Sequence, residues 1–229
     1  MPDGTAELEA PIAKEQQLMG WSYFPSNVYA IERPDFIKAV SEVSEERLKI
    51  QKAQKKLDPI YPVIMTDNLF TDERMADFCT FVGSTAWNIL KEQGYAMDNL
   101  ATTFTEMWTQ EHHKHSLMEQ HVHGFGAQLI GFYFYEVPAK SSQVIFHDPR
   151  AGKVQCNLPE ANINMVTPAS NAIHFSPKPG LLMFANSWLP HSFGRHAANK
   201  PLKFVHFNVS VQLAAQTVTA TTLPAAEVV

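Results

Sequence analysis

The sequence predicts a mainly β (α+β) fold, a sandwich or jelly roll with helices from the first half packed on one face. Three observations carry this reading. Beyond residue 100 the chain breaks into short runs rich in β-branched and aromatic residues. Turn-forming clusters separate these runs, and no helical period intervenes. Before residue 100 the spacing and propensity are helical instead.

The elements follow in order. "RPDFIKAVSEVSEERLKIQKAQKKLDP" is charged and helix-prone; Pro34 suits its first turn, and Asp58-Pro59 stops it. Lys52, Lys55 and Lys56 read as a solvated face. In "TDERMADFCTFVGSTAWNILKEQG", Met75, Phe78, Cys79, Val82, Ala86, Ile89 and Leu90 recur at steps of three and four and share one face. Thr71 is the expected cap, and Gly94 the expected left-handed end. That face should pack on a sheet. "LATTFTEMWTQ" then alternates, with Phe104, Glu106 and Trp108 on one side. "AQLIGFYFYEV", "QVIFHD", "AIHF", "GLLMFA" and "KFVHFNVSVQL" complete the strand set.

The totals set bounds. A chain of 229 residues, 45% hydrophobic and 18% charged, can bury a core that needs no staples. A formal net charge of -5 argues against general nucleic-acid or acidic-membrane binding. Two cysteines, Cys79 and Cys156, are too few for a disulfide framework and suit a reducing compartment. The N-terminus lacks a signal-peptide core, and no window is apolar over the ~18 residues of a spanning helix. A soluble cytoplasmic protein is expected.

All ten histidines lie after residue 111. His121 and His123, in "EQHVHGFGAQLIGFYFY", are two apart, so on a strand they share a face and can chelate one ion. H-x-H alone is a weak signal. His191, in "NSWLPHSFGRH", sharpens it, because distant strands of a jelly roll lie side by side. Imidazole suits Fe(II), Zn and Ni alike, so the metal stays open. His112, His113 and His115 read as a solvated loop. Packing or hydrogen bonding is the default for His147, His174, His196 and His206.

The order "EQHVHGFGAQLIGFYFYEVPAKSSQVIFHDPR", "PKPGLLMFANSWLPHSFG", "KFVHFNVSV" resembles a family of 2-oxoglutarate/Fe(II)-dependent oxygenases distantly similar to prolyl 4-hydroxylases. The resembling stations are Trp108-Thr109-Gln110, His121-Val122-His123, Ile130 to Phe134, Asp148-Pro149-Arg150, Pro177 to Gly180, Asn186 to His191 and Phe207-Asn208. They run from about residue 100 to 211. "FPSNVYAIE" loosely resembles the family's opening strand.

The resemblance implies a double-stranded β-helix with Fe(II) at one mouth and with 2-oxoglutarate and O2 as cosubstrates. Such a protein hydroxylates a carbon centre, for instance on a protein side chain such as proline. It makes 100–215 the metal-binding β-helix; the residues themselves read as a flexible lead at 1–20, a mostly helical part at 21–99 and a tail at 216–229. The usual triad is two histidines and one carboxylate. Here H-x-D has become H-x-H, which leaves two readings. His121, His123 and His191 form the metal face, or Asp148 supplies the carboxylate. For the far carboxylate of 2-oxoglutarate the expected cation is Lys203, with Lys200 and Arg195 behind it; Arg150 is a further clamp, and Tyr133 or Tyr135 a hydrogen-bond donor. Trp188 should pack beneath His191. The helical part stands open among a lid, a homodimer surface and a brace. Two competing functions remain: a three-histidine metal enzyme without 2-oxoglutarate, and a non-catalytic jelly-roll binding module.

Overall fold

The computed structural model describes residues 20–214, save positions 22 and 157. The expected lead (but for Gly20) and tail lie outside them. The elements in order are β1 (Val28–Glu32), α1 (Ile37–Gln54), β2 (Val63–Met65), α2 (Ala76–Glu92), β3 (Leu100–His112), β4 (Met118–His121), β5 (Leu129–Glu136), β6 (Val144–His147), α3 (Ala151–Gln155), β7 (Ala172–Phe175), β8 (Leu181–Asn186), β9 (His191–Phe193) and β10 (Leu202–Leu213). Two antiparallel sheets result, one of six strands in the order β1-β8-β5-β10-β3-β2 and one of four in the order β4-β9-β6-β7.

The strand period of two gives each large-sheet strand two destinations. Leu202 and Phe204 of β10 join Ile130, Phe132, Phe134, Met183 and Phe193 in the core between the sheets. Val205, Phe207 and Val209 face the other way and join Phe78, Val82 and Met75 from the helical side. Each fully buried Phe contributes about 1.5–3 kcal/mol of transfer energy, so both faces of this sheet are held firmly. The helices therefore occupy the outer face of the six-stranded sheet and leave its inner face to the site.

Some local expectations change. A short 3-10 turn, Glu73–Met75, precedes α2, and Asp72 rather than Thr71 caps it by accepting from the Arg74 backbone N–H. Asp72 is a carboxylate at the positive end of the helix, so it also complements the dipole. Gly94 has φ +93, as a helix end requires. Lys52 is not merely solvated: its Nζ lies 2.6 Å from Glu111 Oε2, a carboxylate buried beneath it. The first half also supplies strands, β1 and β2, at the two edges of the large sheet. Among the described residues no helix is long and apolar enough to cross a membrane.

Gly131 sits where β5 passes between β10 and β8. A Cβ there would collide with the Phe207 ring and come within 2.5 Å of the Met183 carbonyl oxygen. Gly131→Ala should cost roughly 1–3 kcal/mol or more and lower the melting temperature by about 5 °C or more. Gly152→Ala, with nothing within 4 Å, should leave it unchanged. Thermal unfolding followed by circular dichroism separates the two.

Candidate metal centre

His121 ends β4 and His191 opens β9, and the two are direct cross-strand partners. His123 lies two residues past β4, with its backbone N–H donating to Ser187 O at 3.0 Å. The turn that delivers His191 thus also holds His123. The ring centroids are 4.4 Å apart for His121–His191 and 5.2 Å for both other pairs. One ring nitrogen from each lies within 4.8 Å of the other two.

The tautomers suit metal binding. His121 Nδ1–H donates to Glu119 O at 2.7 Å, and His191 Nδ1–H donates to Leu189 O at 3.1 Å. Backbone carbonyls thereby orient both rings and leave Nε2 as a lone pair. The Nε2 atoms of His123 and His191 are buried and have no hydrogen-bond partner. Unpaired buried nitrogens are costly, and a divalent cation shared by them resolves the cost. These residues fit such an ion.

Burial favours the neutral form of two of the rings. It lowers His123 to about 4, helped by His121, and lowers His191 to about 3, with the Leu189 contact opposing. A neutral imidazole needs no deprotonation before it ligates. His206 of β10, its ring 4.7 Å from His123, is also held far below its ordinary value, chiefly by burial and then by His123 and His191.

A cavity of about 190 Å³ adjoins the cluster, lined by the three histidines with His206, Trp108, Gln110, Phe132, Met65 and Met118. Among the described residues no lysine, arginine or carboxylate lines it.

Several expected site residues are elsewhere. Lys203 points to the helical side of β10, the opposite face from His206. Its Nζ lies 2.8 Å from Glu45 Oε1 of α1, 2.9 Å from Glu136 Oε2 and 3.8 Å from Glu111 Oε2. It balances carboxylates beneath α1 and cannot reach the cavity through the sheet. Tyr133 and Tyr135 share that outer face: one hydroxyl donates to Arg33 O at 2.7 Å, the other to Glu45 Oε1 at 3.3 Å. Asp148 does not join the histidines. Its oxygens accept from the Arg150 backbone N–H and guanidinium, and Lys153 lies 3.3 Å away, so its pKa falls well below the carboxylate range. Arg150 is spent on the same pair. Arg195 reaches His115 O at 3.4 Å, and neither it nor Lys200 lines the cavity. Trp188 is 46% exposed, and Leu189, 2% exposed, is the buried neighbour.

The histidine loop also differs. β3 extends through His112, which is fully buried with Nε2 2.8 Å from Gln110 Oε1. Trp108 and Gln110 enter the sequence analysis only as a station of the resemblance, and His206 as a packing or hydrogen-bonding residue, which its bond to Asn208 matches; none of the three is expected there at the cavity. Their signal was the alternation of β3 and β10, which puts Trp108 directly opposite His206.

Residues 106–208, nearly half of the chain, match the family described as "Putative 2OG-Fe(II) oxygenase". Solved structures share the fold. A Pseudomonas putida prolyl-4-hydroxylase aligns over 81% of this chain and 93% of its own at 10% identity, with a TM-score of 0.54. AviO1 from Streptomyces viridochromogenes Tue57 aligns over 81% and 90% at 10% identity, TM-score 0.57. HygX from Streptomyces hygroscopicus, solved with nickel and 2-oxoglutarate bound, aligns over 81% and 83% at 11% identity, TM-score 0.53. No curated protein sequence matches the chain. The strand scaffold is thus one that these metal oxygenases share, and the histidine cluster could hold a metal ion. Over residues 106–208 the chain is thus similar to the 2-oxoglutarate- and Fe(II)-dependent oxygenases, oxidoreductases that use Fe(II), 2-oxoglutarate and O2.

Two outcomes follow from this geometry. The buried histidines have native pKa values below the ordinary 6.5. The unfolded chain therefore binds more protons below that pH, and native stability falls as pH drops. Metal-free protein should lose melting temperature progressively from about pH 6.5 towards 4; a flat profile counts against burial of neutral rings. Lys203→Met leaves Glu45, Glu111 and Glu136 short of a cation. Because two of those carboxylates are half-exposed, the cost should be about 1–3 kcal/mol, read as a lower urea midpoint.

Proposed function

We propose that His121, His123 and His191 are the iron ligands, a three-imidazole face in place of two histidines and a carboxylate. The convergence of their ring nitrogens is the observation that carries this. On this reading the two sheets are the halves of a double-stranded β-helix spanning residues 100–215, and residues 21–99 brace it. Free Cys79 and Cys156 fit a cytoplasmic setting.

When bound, Fe(II) with 2-oxoglutarate and O2 supplies an oxidant strong enough to hydroxylate an aliphatic carbon. The chain supplies position. The Glu119 and Leu189 carbonyls hold two imidazoles in register, and the Phe132 and Phe146 rings, 5.6 Å and 6.1 Å from His191, exclude water behind it. Val122 (between the two ligating histidines), Phe125 just after them and Trp188 before His191 are exposed apolar side chains. An apolar rim suits an uncharged aliphatic ring, so a prolyl side chain in a peptide is the substrate to test first. Two of the structures that share the fold are titled prolyl hydroxylases. The position of Lys203 taken alone favours a three-histidine enzyme that needs no cosubstrate; the family match outweighs it.

Anaerobic protein loaded with Fe(II) and 2-oxoglutarate should show a visible charge-transfer band that requires both. His191→Ala should abolish it, and His113→Ala should not, because His113 faces Glu111 (Nε2 to Oε1, 2.6 Å) rather than the cluster. An iron-loaded, folded sample without a band rejects the proposal. Succinate release stimulated by prolyl peptides, but not by their alanyl counterparts, tests the substrate.

A further inference from the structure

The cavity holds no cation, yet 2-oxoglutarate carries two negative charges. Two features of the inner face of β3 and β10 answer this. Trp108 and Gln110 are two apart on β3 and both line the cavity. Trp108 Nε1 is buried with no partner. Gln110 is 3% exposed, and its Oε1 is engaged by His112 Nε2–H at 2.8 Å. That bond fixes the amide orientation, so the Gln110 NH2 group is left without a partner among the described residues. Two residues with unengaged neutral donors thus line one space beside the histidines.

His206 is the wrong neighbour for an anion. Asn208 Nδ2 donates to Glu106 Oε2 at 2.6 Å, so Asn208 Oδ1 accepts from His206 Nε2–H at 3.1 Å. The imidazole therefore offers Nδ1, buried and unpaired, as a lone pair. A carboxylate is steered away from it and towards the two donors.

The charges also balance. A divalent ion with two neutral histidines and one carboxylate carries one net positive charge, and a separate cation adds a second. Here three neutral imidazoles leave both positive charges on the metal. The dianion of 2-oxoglutarate is neutralised in either arrangement.

Resting on the reading of the site above, we infer that the far carboxylate of 2-oxoglutarate is received by Trp108 Nε1–H and the Gln110 amide, with no lysine or arginine. The lost cation and the lost metal carboxylate are compensating changes. Trp108 and Gln110 are cosubstrate-binding residues, and Lys203 is not.

Calorimetric titration of Ni(II)-loaded protein tests this without turnover. The probes are 2-oxoglutarate and pyruvate, which shares the chelating 2-oxo acid group but lacks the far carboxylate. Hydrogen bonds to a charged group are worth about 1.5–3 kcal/mol. Trp108→Phe and Gln110→Leu should therefore each weaken 2-oxoglutarate about tenfold or more and leave pyruvate within twofold. Gln110→Glu, which keeps the shape and adds a negative charge, should weaken 2-oxoglutarate more strongly still. Lys203→Met should change neither acid in the fraction that folds. Equal weakening of both acids, no weakening of either, or a selective loss in Lys203→Met overturns the inference. Wild-type protein that binds Ni(II) and pyruvate but shows no preference for 2-oxoglutarate overturns it while sparing the metal site. Wild-type protein that binds nickel and neither acid removes the cosubstrate reading as well.

Discussion

The two-residue period of β10 is the constraint on which the rest depends. This strand lies inside the six-stranded sheet, paired with β5 on one side and β3 on the other. It cannot rotate without breaking both ladders, so each residue is committed to one face. Lys203, Val205 and Phe207 go to the helices. Leu202, Phe204, His206 and Asn208 go to the space between the sheets. The ion network beneath α1 and the polar floor of the cavity are thus two readings of one strand, in alternate residues.

The same strand explains where the sequence was legible and where it was not. The β-rich second half and the α2 face could be read, because turn signals and helical spacing are local. The three histidines could be singled out by H-x-H and a remote W-L-P-H segment, and the structure brings them together. The face of Lys203 could not be read from its own neighbours: "PLKFVHF" alternates between two apolar rows, and both rows are buried. A strand covered on both sides carries no polar face to give its orientation. His112 was misplaced for a related reason. "EHHKH" looks hydrophilic, but β3 runs two residues into it to pair with Leu202 and Val63.

Hydrogen-bonded orientation recurs through the site in place of charge. Backbone carbonyls set His121 and His191, Ser187 fixes the backbone at His123, and a carboxamide sets His206. All of these partners are neutral, and the Glu106 carboxylate acts one residue removed, through Asn208. Burial in an apolar wall, where an unpaired charge would be costly, is what lowers His123, His191 and His206; the acceptors at His191 and His206 oppose that shift and serve to orient the rings. The ionic groups are instead gathered on the helical side, where Glu45, Glu111, Glu136, Lys52 and Lys203 offset one another.

The pairing of β1 with β8 has a consequence for biosynthesis. Residues 28–32 find their partners at 181–185, and β3 waits for β10 nearly a hundred positions later. Such distant closures are slow to form and late to complete. Synthesis must run at least through β9 before His121 and His191 can meet. On the proposed ligand set an ion can be captured only after that closure, because before it the three imidazoles share no pocket.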